Sequence, residues 1–525
     1  MSDSRQQSPN NPPTPANGIV YLIGAGPGDP GLLTVRGAEL IRRADVLVYD
    51  ALANPALLNY ARADVEMIDA GKRAKKHKLT QDETNALLAE KASEGNVVVR
   101  LKGGDPYVFG RGSEEAIYLH ERGIAVEVVP GITAAMAGPA YAGIPVTHRN
   151  VATTVTFITG HEDPTKDETQ TSYEGLSKIA QSGGTLCFYM GMGRLPFIIE
   201  ELTRYGLAAD TPAAVVQWGT RSMQRSVRAP LNELAAAVEK AQLGAPAIIL
   251  VGPVAAVDAD PQGALHWFEK RPLFSKRIVI TRTRHQASAL RNRLEDLGAE
   301  VLEAPTIEIV PPSDWAPIDD AIRRVGDYNW LILTSVNGVT ALRERLDAME
   351  LDARHLAGVK IGAIGDATAA ALIEMGVRPD LVPTQFVAES LAAEMITRED
   401  MAGQRVLMLR ADIARPALNE KLTEAGATVD DLTIYQTKTA ESLPDDVVEA
   451  LRDKRVDYVT FTSSSTVRNF VQLLGDASLL EDVKLASIGP ITSKTAAELG
   501  LTLSVEAMRY DIDGLIEAIV TAERK

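Results

Sequence analysis

The chain has 525 residues. Single hydrophobic cores stop growing at about 250 to 300 residues, so two or more domains are expected. The composition is ordinary for a globular protein, with 45% hydrophobic and 24% charged residues. A formal net charge of -16 argues against a general binder of nucleic acid or anionic membranes, because such proteins collect phosphates with a positive field. Any anionic ligand must therefore be met by local basic clusters.

The amino terminus, the cysteine and the histidines indicate the cellular location and the kinds of site to expect. Residues 1–17 are polar and proline-rich, without the apolar run of a signal peptide, and predict a disordered tail on a cytoplasmic protein. No apolar run approaches the roughly 20 residues that cross a bilayer. The one cysteine, Cys187, excludes an intramolecular disulfide, and its apolar surroundings favour a buried strand residue over a nucleophile. The histidines lack metal-ligand spacing, so no metal is expected.

From Gly18 onward, short apolar runs alternate with amphipathic stretches, which predicts an α/β fold with largely parallel strands. The strands predicted in a first domain, residues 18–257, are 19–23, 46–49, 97–101, 126–129, 154–159, 185–190, 213–217 and 247–252. Residues 258–275 are irregular and hold two prolines, so they are predicted to be a linker.

The alternation resumes in a second domain, residues 276–525. A helix is predicted at 286–297, and strands at 277–281, 301–310, 330–334, 360–364, 406–409, 432–437, 458–462 and 484–488. The segment 331–335 (LILTS) resembles 458–463 (YVTFTS), and 362–365 (GAIG) resembles 487–489 (SIG). These short matches indicate two similar lobes.

A glycine-rich loop, residues 24–31 (GAGPGDPG), follows the first strand, and Asp50 ends the next. The spacing mimics a dinucleotide-binding fingerprint. However, Pro27 and Pro30 remove two of the backbone N–H groups that would bind phosphate, and Asp29 adds a negative charge where a pyrophosphate would lie. A neutral or cationic adenosyl ligand suits the loop better, and a plain structural turn is the alternative.

Four further segments complete a pattern: 102–112 (KGGDPYVFGRG), 129–134 (VPGITA), 143–149 (GIPVTHR) and 189–191 (YMG). With them, residues 18–254 resemble uroporphyrinogen-III C-methyltransferase. The resemblance implies a two-lobed tetrapyrrole-methylase fold distinct from Rossmann-type methyltransferases, S-adenosylmethionine as methyl donor, and a homodimer. It assigns the cofactor to Pro27, Gly103, Gly104, Asp105, Val108, Thr133, Ala134, Met190 and Gly219.

The same resemblance implies a general base at Asp50 and an acid at Lys72. A helix-capping aspartate is the alternative for Asp50. The densest basic run of the acidic chain is 72–78 (KRAKKHK), and it is either a solvated face or a site for the eight carboxylates of uroporphyrinogen. The second interpretation is favoured, and the residues expected to bind those carboxylates through charge-assisted hydrogen bonds are Arg73, Arg111, His148 and Arg149.

Six segments of the second domain stand in order: 280–282 (ITR), 333–338 (LTSVNG), 410–412 (RAD), 434–437 (IYQT), 461–466 (FTSSST) and 487–492 (SIGPIT). Through them, residues 276–519 resemble uroporphyrinogen-III synthase. The resemblance implies a two-lobed α/β fold, with residues 276–311 and 437–525 in lobe one and residues 316–434 in lobe two. It also implies a two-stranded connection near residues 311 and 436.

In that family hydroxymethylbilane loses its hydroxyl and closes into a macrocycle, and Tyr435 matches the tyrosine proposed to assist the hydroxyl's departure. The substrate contacts expected from the resemblance are Arg282, Thr334, Ser335, Ser463, Ser464 and Thr492, with Arg410 and Lys494 as further carboxylate partners. Strand-end serines and threonines often cap helices, so a structural role is the alternative for each hydroxyl.

The two resemblances together predict a bifunctional enzyme. The second domain would make uroporphyrinogen III, and the first would methylate it twice to precorrin-2. The alternatives are another precorrin methyltransferase, or a methyltransferase with a non-catalytic carboxyl-terminal binding module. An NAD-dependent oxidoreductase is disfavoured by the prolines of the glycine loop.

Overall fold

The structure is a computed structural model that describes residues 18–62, 64–71, 79–161, 171–260, 262–282, 284–384, 388–412 and 416–524. The tail predicted at residues 1–17 lies outside these ranges. The backbone divides into two compact units. Unit one runs to Arg277 and includes residues 293–300 and the last three residues, and unit two comprises residues 278–292 and 301–522.

The first sheet of unit one is parallel throughout and has the strand order β3-β2-β4-β1-β5. Its strands are β1 (Ile19–Gly24), β2 (Val46–Tyr49), β3 (Glu66–Asp69), β4 (Val97–Lys102) and β5 (Ala125–Val129). Apolar clusters cover both faces, as the continuous apolar run of β1 requires. The helices are α1 (Val35–Arg43), α2 (Gln81–Ser93), α3 (Gly112–His120) and α4 (Ala134–Tyr141).

The second sheet of unit one has the order β6-β7-β10-β8-β9. It consists of β6 (Val155–Thr159), β7 (Thr185–Tyr189), β8 (Pro212–Gln217), β9 (Arg225–Pro230) and β10 (Ala247–Val251). Only β6 and β7 pair in parallel, so the expectation of largely parallel strands is wrong for this sheet. A loop of seven residues, 218–224, joins β8 to β9, and direct connections of this kind link antiparallel neighbours. The helices are α5 (Tyr173–Gln181), α6 (Leu195–Arg204) and α7 (Leu234–Lys240).

Cys187 lies on β7 and is fully buried. Burial raises the pKa of its thiol to about 12. The burial of Cys187 on a strand confirms the prediction from its apolar surroundings, and the raised pKa disfavours the thiolate, which is the nucleophilic form.

The first sheet of unit two has the order β12-β11-β18-β19-β20. Its strands are β11 (Arg277–Ile280), β12 (Glu300–Glu303), β18 (Tyr458–Phe461), β19 (Lys484–Ser487) and β20 (Val505–Glu506). The helices are α8 (Arg284–Asp296), α14 (Asp445–Arg452), α15 (Ser464–Leu474), α16 (Pro490–Glu498) and α17 (Ile512–Glu523).

The second sheet of unit two has the order β13-β17-β16-β14-β15. Its strands are β13 (Ile307–Val310), β14 (Trp330–Leu333), β15 (Lys360–Ala363), β16 (Arg405–Ala411) and β17 (Thr428–Thr439). The helices are α9 (Ala316–Arg323), α10 (Val336–Ala348), α11 (Asp366–Glu374), α12 (Ala388–Arg398) and α13 (Ala417–Glu424). The single strand predicted at 301–310 is two strands, β12 and β13. The antiparallel pair of β13 and β17 aligns Val310 with Gln436, where a two-stranded connection was expected.

The two sheets of unit two repeat a local motif. In each, a buried strand ends at a serine that caps the following helix: Ser335 between β14 and α10, and Ser463 between β18 and α15. The neighbouring strand in each sheet ends at a glycine, Gly365 or Gly489, at the start of the next helix. The structure thus contains the internal similarity that the sequence indicated. Among the described residues, no helix has the length and apolar character needed to span a membrane.

Candidate active sites

A cavity of about 400 Å³ opens in unit one, between its two sheets. This volume lies within the range of small-molecule sites. Its wall contains every residue that the sequence assigned to the cofactor: Pro27, Gly103, Gly104, Asp105, Val108, Thr133, Ala134, Met190 and Gly219. Five segments that are far apart in sequence therefore meet around one space.

Backbone hydrogen bonds hold the first glycine loop against the loop that follows β4. Gly26 and Gly104 bond to each other in both directions, with N···O distances of 3.2 and 2.8 Å. Ala25 N also donates to Lys102 O at 2.7 Å. The two glycines thus form an antiparallel bridge that joins both motifs at the cavity wall.

Asp105 links the loop that follows β4 to the loop that precedes α4. Its Oδ1 accepts from the backbone N–H groups of Tyr107 and Val108, at 2.8 and 3.1 Å. Its Oδ2 accepts from Gly131 N at 2.9 Å, in the loop before α4. The carboxylate is thus occupied by three backbone donors, and Asp105 shapes the cavity by holding its loops.

Gly104 has a φ of +69°, in the left-handed region that favours glycine. A Cβ built on Gly104 would approach no protein atom closer than 4.0 Å, the nearest being Ala134 N and Thr133 Cα. The space beside Gly104 is therefore open, and a side chain there would occupy the cavity itself.

The cavity wall also contains residues that the sequence assignment missed. Tyr189 hydrogen-bonds through its hydroxyl to Thr133 Oγ1 at 2.6 Å and accepts from Ala135 N at 3.0 Å, so it ties β7 to the start of α4. Burial raises the pKa of Tyr189 and keeps this hydroxyl protonated. Its position beside Met190 in a recognised segment could have identified it. Trp218 directly precedes the assigned Gly219, whereas Leu52 and Arg221 carry no such signal.

Asp50, the expected general base, lies at the end of β2 but does not line the cavity. Its Oδ1 is 2.5 Å from Nη2 of the buried Arg100. The carboxylate therefore pairs with a guanidinium, and a helix-capping role is not what the structure shows.

Arg100 belongs to a buried charged network. Glu115 Oε1 lies 3.5 Å from Arg100 Nε and 2.7 Å from Lys102 Nζ, and accepts from Gln81 Nε2 at 3.0 Å. Glu115 is fully buried. Burial, followed by the nearby Arg100, lowers the pKa of Lys102, while Glu115 acts in the opposite direction. Buried charges are costly unless they are paired, and these residues hold the Arg100 guanidinium in position toward Asp50.

Of the residues expected to meet the substrate carboxylates, the structure describes Arg111, His148 and Arg149, and these three lie outside the cavity wall. Arg111 lies in the loop that follows β4, directly before α3. It pairs with Glu114 at 2.6 Å, and both side chains are more than half exposed. His148 and Arg149 are exposed on the loop after α4. Lys72 and Arg73, with the rest of the basic run 72–78, fall outside the residues that the structure describes.

In unit two, Tyr435 is buried on β17, and its hydroxyl lies 2.9 Å from Ser335 Oγ. Ser335 Oγ also accepts from Gly338 N at 3.1 Å and so caps α10. Thr334 directly precedes this serine. The hydroxyls of Tyr435 and Ser335, both expected at the site, are thus hydrogen-bonded to each other. Ser335 also caps a helix, which is the structural role given above as the alternative for each hydroxyl.

The hydroxyls of the other lobe lie at the starts of α15 and α16. Ser463 caps α15, while Ser464 Oγ donates to Ile491 O at 3.3 Å and accepts from Thr495 Oγ1 at 2.8 Å. Thr492 is buried in the first turn of α16. These residues follow β18 and β19, adjacent parallel strands, so they share one edge of the sheet.

The expected carboxylate partners in unit two differ in their surroundings. Arg410 pairs with Asp431, with N···O distances of 2.5 and 2.7 Å, so it is already engaged within the protein. Arg282 lies two residues after the end of β11 and has no hydrogen bond or ion pair to any described residue. Burial lowers the pKa of Arg282, but a guanidinium remains charged at neutral pH. Arg282 is therefore the better candidate for binding an anionic ligand.

The two halves of the chain match two known protein classes. Residues 19–235 match the family model of tetrapyrrole (corrin/porphyrin) methylases, and residues 288–517 match that of uroporphyrinogen-III synthase. The porphyrin biosynthesis protein HemD of Ruminiclostridium josui is 38% identical over 504 residues, which cover 96% of this chain and 98% of the relative. The chain belongs to this family of porphyrin-biosynthesis proteins, in which a tetrapyrrole methylase precedes a uroporphyrinogen-III synthase.

Two further relatives are named as methyltransferases, and the match to the first of them extends beyond the methylase half. The uroporphyrinogen-III C-methyltransferase of Bacillus subtilis is 39% identical over 390 residues, covering 73% of this chain and 78% of the relative. The S-adenosyl-L-methionine-dependent uroporphyrinogen III methyltransferase of Methanosarcina barkeri is 53% identical over 237 residues, covering 45% of this chain and 92% of the relative.

The open space beside Gly104 predicts that Gly104→Ala weakens binding of S-adenosylhomocysteine at least ~10-fold, because the methyl group enters the cavity; tenfold corresponds to about 1.4 kcal/mol. Calorimetric titration measures this affinity. Gly123→Ala is the matched control, since Gly123 has a φ of +70°, a Cβ there would meet nothing within 4 Å, and it does not line the cavity. Both substitutions carry the same backbone penalty, and equal affinities in the two variants would refute the assignment of the ligand to this cavity.

Proposed function

We propose that the carboxyl-terminal half converts hydroxymethylbilane to uroporphyrinogen III and that the amino-terminal half methylates this product twice with S-adenosylmethionine, giving precorrin-2. The observation that carries the proposal is the cavity of unit one, where nine positions assigned from five sequence segments line one wall. The full-length similarity to a porphyrin biosynthesis protein supports the pairing of the two activities.

The proposal includes the organisation of the chain. Residues 18–257 would form the methyltransferase and residues 276–525 the synthase, with its lobes at 276–311 plus 437–525 and at 316–434. We also propose that the protein forms a homodimer through the methyltransferase half and that it is cytoplasmic. The names of the relatives support the chemistry.

S-adenosylmethionine, when bound, supplies a methyl group on a sulfonium. The cavity residues fit such a ligand, because the wall is mostly apolar or backbone and the Asp105 carboxylate is already satisfied by three N–H donors. Methyl transfer is an in-line displacement, so the chain contributes chiefly by holding both reactants in position. The substituted pyrrole carbon must then lose a proton, and Asp50 is the carboxylate proposed to accept it.

The buried network prepares Asp50 for this role. Arg100 is held by Glu115 on one side and reaches Asp50 on the other, so the carboxylate is oriented before substrate arrives. Preorganised charges cost no reorganisation during the reaction. Arg111, His148 and Arg149, together with Lys72 and Arg73, are proposed to bind the acidic side chains of the tetrapyrrole, with Lys72 also acting as the acid.

In the synthase half, closure of the ring requires loss of a hydroxyl from a flexible linear substrate. The Tyr435 and Ser335 hydroxyl pair is proposed to donate a proton to the departing group. Arg282, which has no partner among the described residues, is proposed to bind a substrate carboxylate, as are the hydroxyls of Thr334, Ser463, Ser464 and Thr492. Hydrogen bonds of this kind suffice because the main task is to hold the substrate in the productive conformation.

One assay tests the function as a whole. The full chain is incubated anaerobically with hydroxymethylbilane, with and without S-adenosylmethionine, and the products are identified by mass and by chromatography of the oxidised porphyrins. Uroporphyrinogen III is expected without the methyl donor, and a product with two added methyl groups is expected with it. Methylation of supplied uroporphyrinogen III without any conversion of hydroxymethylbilane would show that the second half is a non-catalytic module.

For the methyltransferase we expect Asp50→Asn to slow methylation by about 10² to 10⁴-fold, the usual contribution of a general base. Affinity for S-adenosylhomocysteine should stay within about threefold, well under the tenfold change that 1.4 kcal/mol represents. Asp45→Asn is the matched control, because Asp45 precedes the same strand at its opposite end and pairs with Arg62. Joint loss of cofactor affinity and activity in Asp50→Asn would contradict the assigned role.

For the synthase we expect Tyr435→Phe to slow ring closure by about ten to several hundredfold, up to the usual contribution of one positioned proton donor. Methylation of supplied uroporphyrinogen III should be unchanged. Tyr328→Phe is the control, since Tyr328 is equally buried and its hydroxyl donates to Asp430 at the other end of the same sheet.

Rate and isomer ratio are both measured, because hydroxymethylbilane also cyclises without an enzyme to the uninverted isomer. If Tyr435→Phe matches the parent protein in both quantities, the tyrosine is structural. Thr334, Ser463 and Thr492 would then be the better donors.

A further inference from the structure

The segment that leads from one half of the chain to the other is built into unit one. The methylase family model ends at residue 235 and the synthase model begins at residue 288. Between them, residues 258–275 were expected to be a linker, yet Phe268 is 4% exposed and Leu273 is fully buried. A segment that serves only as a tether has no reason to bury apolar side chains. We name residues 263–274 the connecting segment.

The connecting segment packs on Tyr141, the last residue of α4. The ring centroid of Tyr141 lies 4.9 Å from that of Trp267 and 4.7 Å from that of Phe268, in edge-on and tilted arrangements. Aromatic pairs at such distances stabilise one ring orientation beyond the effect of burial alone. The orientation matters because the Tyr141 hydroxyl donates to Asp29 Oδ2 at 2.7 Å.

Asp29 belongs to the first glycine loop, two residues after Pro27 of the cavity wall. Its Oδ1 accepts from Gly31 N at 2.7 Å, and its backbone N donates to Thr220 Oγ1 at 3.0 Å. Thr220 directly follows Gly219, which lines the cavity. Asp29 thus joins the two loops on either side of the cavity, and Tyr141 holds Asp29.

A second chain of hydrogen bonds links the connecting segment to Thr220. Glu269 Oε1 accepts from Gln224 Nε2 at 2.8 Å, and Gln224 Oε1 accepts from Thr220 N at 2.9 Å. Thr220 and Trp218 have φ values of +73° and +50°. Non-glycine residues persist in this region of backbone space only where surrounding contacts hold them there. Thr220 is held by Asp29 through its side chain and by Gln224 through its backbone N–H, and Glu269 holds Gln224.

We propose that the connecting segment positions the two loops that enclose S-adenosylmethionine, acting through Tyr141 and Asp29 on one path and through Glu269 and Gln224 on the other. The inference rests on the proposed function of the cavity. None of these four side chains lines the cavity, so they are positioning residues. The methyltransferase site would then be complete only with a segment that lies beyond the methylase family match and directly precedes the synthase half in the chain.

The test uses the full chain and measures two quantities: the affinity for S-adenosylhomocysteine by calorimetry, and KM and kcat for S-adenosylmethionine with supplied uroporphyrinogen III. Tyr141→Phe and Glu269→Ala should each weaken the affinity by about tenfold, because a hydrogen bond to a charged group is lost. KM should rise in parallel. The kcat at saturating cofactor should change less than about twofold, since neither side chain contacts the reacting atoms.

Conservative and coupled variants sharpen the test. Glu269→Gln keeps an acceptor oxygen and should restore most of the affinity that Glu269→Ala loses. Trp267→Ala should weaken binding like Tyr141→Phe, and the double variant should lose less than the product of the two single losses, because both act on one hydrogen bond. Tyr205→Phe is the control, since this tyrosine stacks under Arg204 and does not line the cavity.

Two results would overturn the inference. Parental affinity in both Tyr141→Phe and Glu269→Ala would show that the connecting segment is only a tether. A loss of affinity matched by an equal fall in kcat and in the synthase rate would show a general folding defect. Failure of the proposed function is distinguishable, because the parent protein itself would then not bind S-adenosylhomocysteine.

Discussion

The cavity of unit one depends on backbone packed directly against backbone at the carboxyl edge of its parallel sheet. A Cβ on Gly24 would lie 2.4 Å from Gly131 Cα, and a Cβ on Gly131 would lie 2.3 Å from Gly104 O. Three loops therefore meet at a point that admits no side chain. Asp105 then locks two of them through Gly131 N. Without this contact there would be no continuous wall, and the residues that face the cavity would belong to separate loops.

The same edge of the sheet accommodates charges that a stable core would normally avoid. Arg100, Lys102 and Glu115 are almost completely buried, and their mutual pairing offsets the loss of solvation. The only described carboxylate of the network that reaches solvent is Asp50, at 31% side-chain exposure. A buried network with one exposed end fits a site that must orient a single carboxylate. Buried ion pairs contribute little to the free energy of unfolding, which favours a functional role for this pairing.

The candidate sites of the two halves are built from different structural features. The methylase half encloses a cavity with loops tied by backbone hydrogen bonds, whereas the synthase half presents hydroxyls at strand ends. In the synthase half the repeated unit of strand, serine and helix places Ser335 and Ser463 at equivalent positions in two sheets. Both serines cap helices, so the same hydroxyls that stabilise the fold are available at the sheet edges. A structural role therefore does not exclude a role in binding.

The amino-acid sequence by itself determined the division into two α/β halves, the positions of most strands and the segments that form the cavity wall, but it did not indicate β3, β9 or β20. Apolar runs and glycine-rich turns are local signals, and parallel strands place the loops that follow them at one edge. The sequence also identified Cys187 as a packing residue, because its neighbours are all apolar. These features depend on short stretches of chain, which is why they could be predicted.

Only the tertiary structure decided the features that join distant residues. The antiparallel pairings of the second sheet, the partnership of Asp50 with Arg100, and the contacts of Tyr141 with Trp267 and Asp29 leave no local pattern in the sequence. The segment predicted as a linker is an example, because its irregular, proline-containing sequence resembles a tether, while its Trp267 and Phe268 rings pack on Tyr141, more than 100 positions away. Side-chain contacts of this kind are set by packing, and packing is decided only when the whole chain has folded.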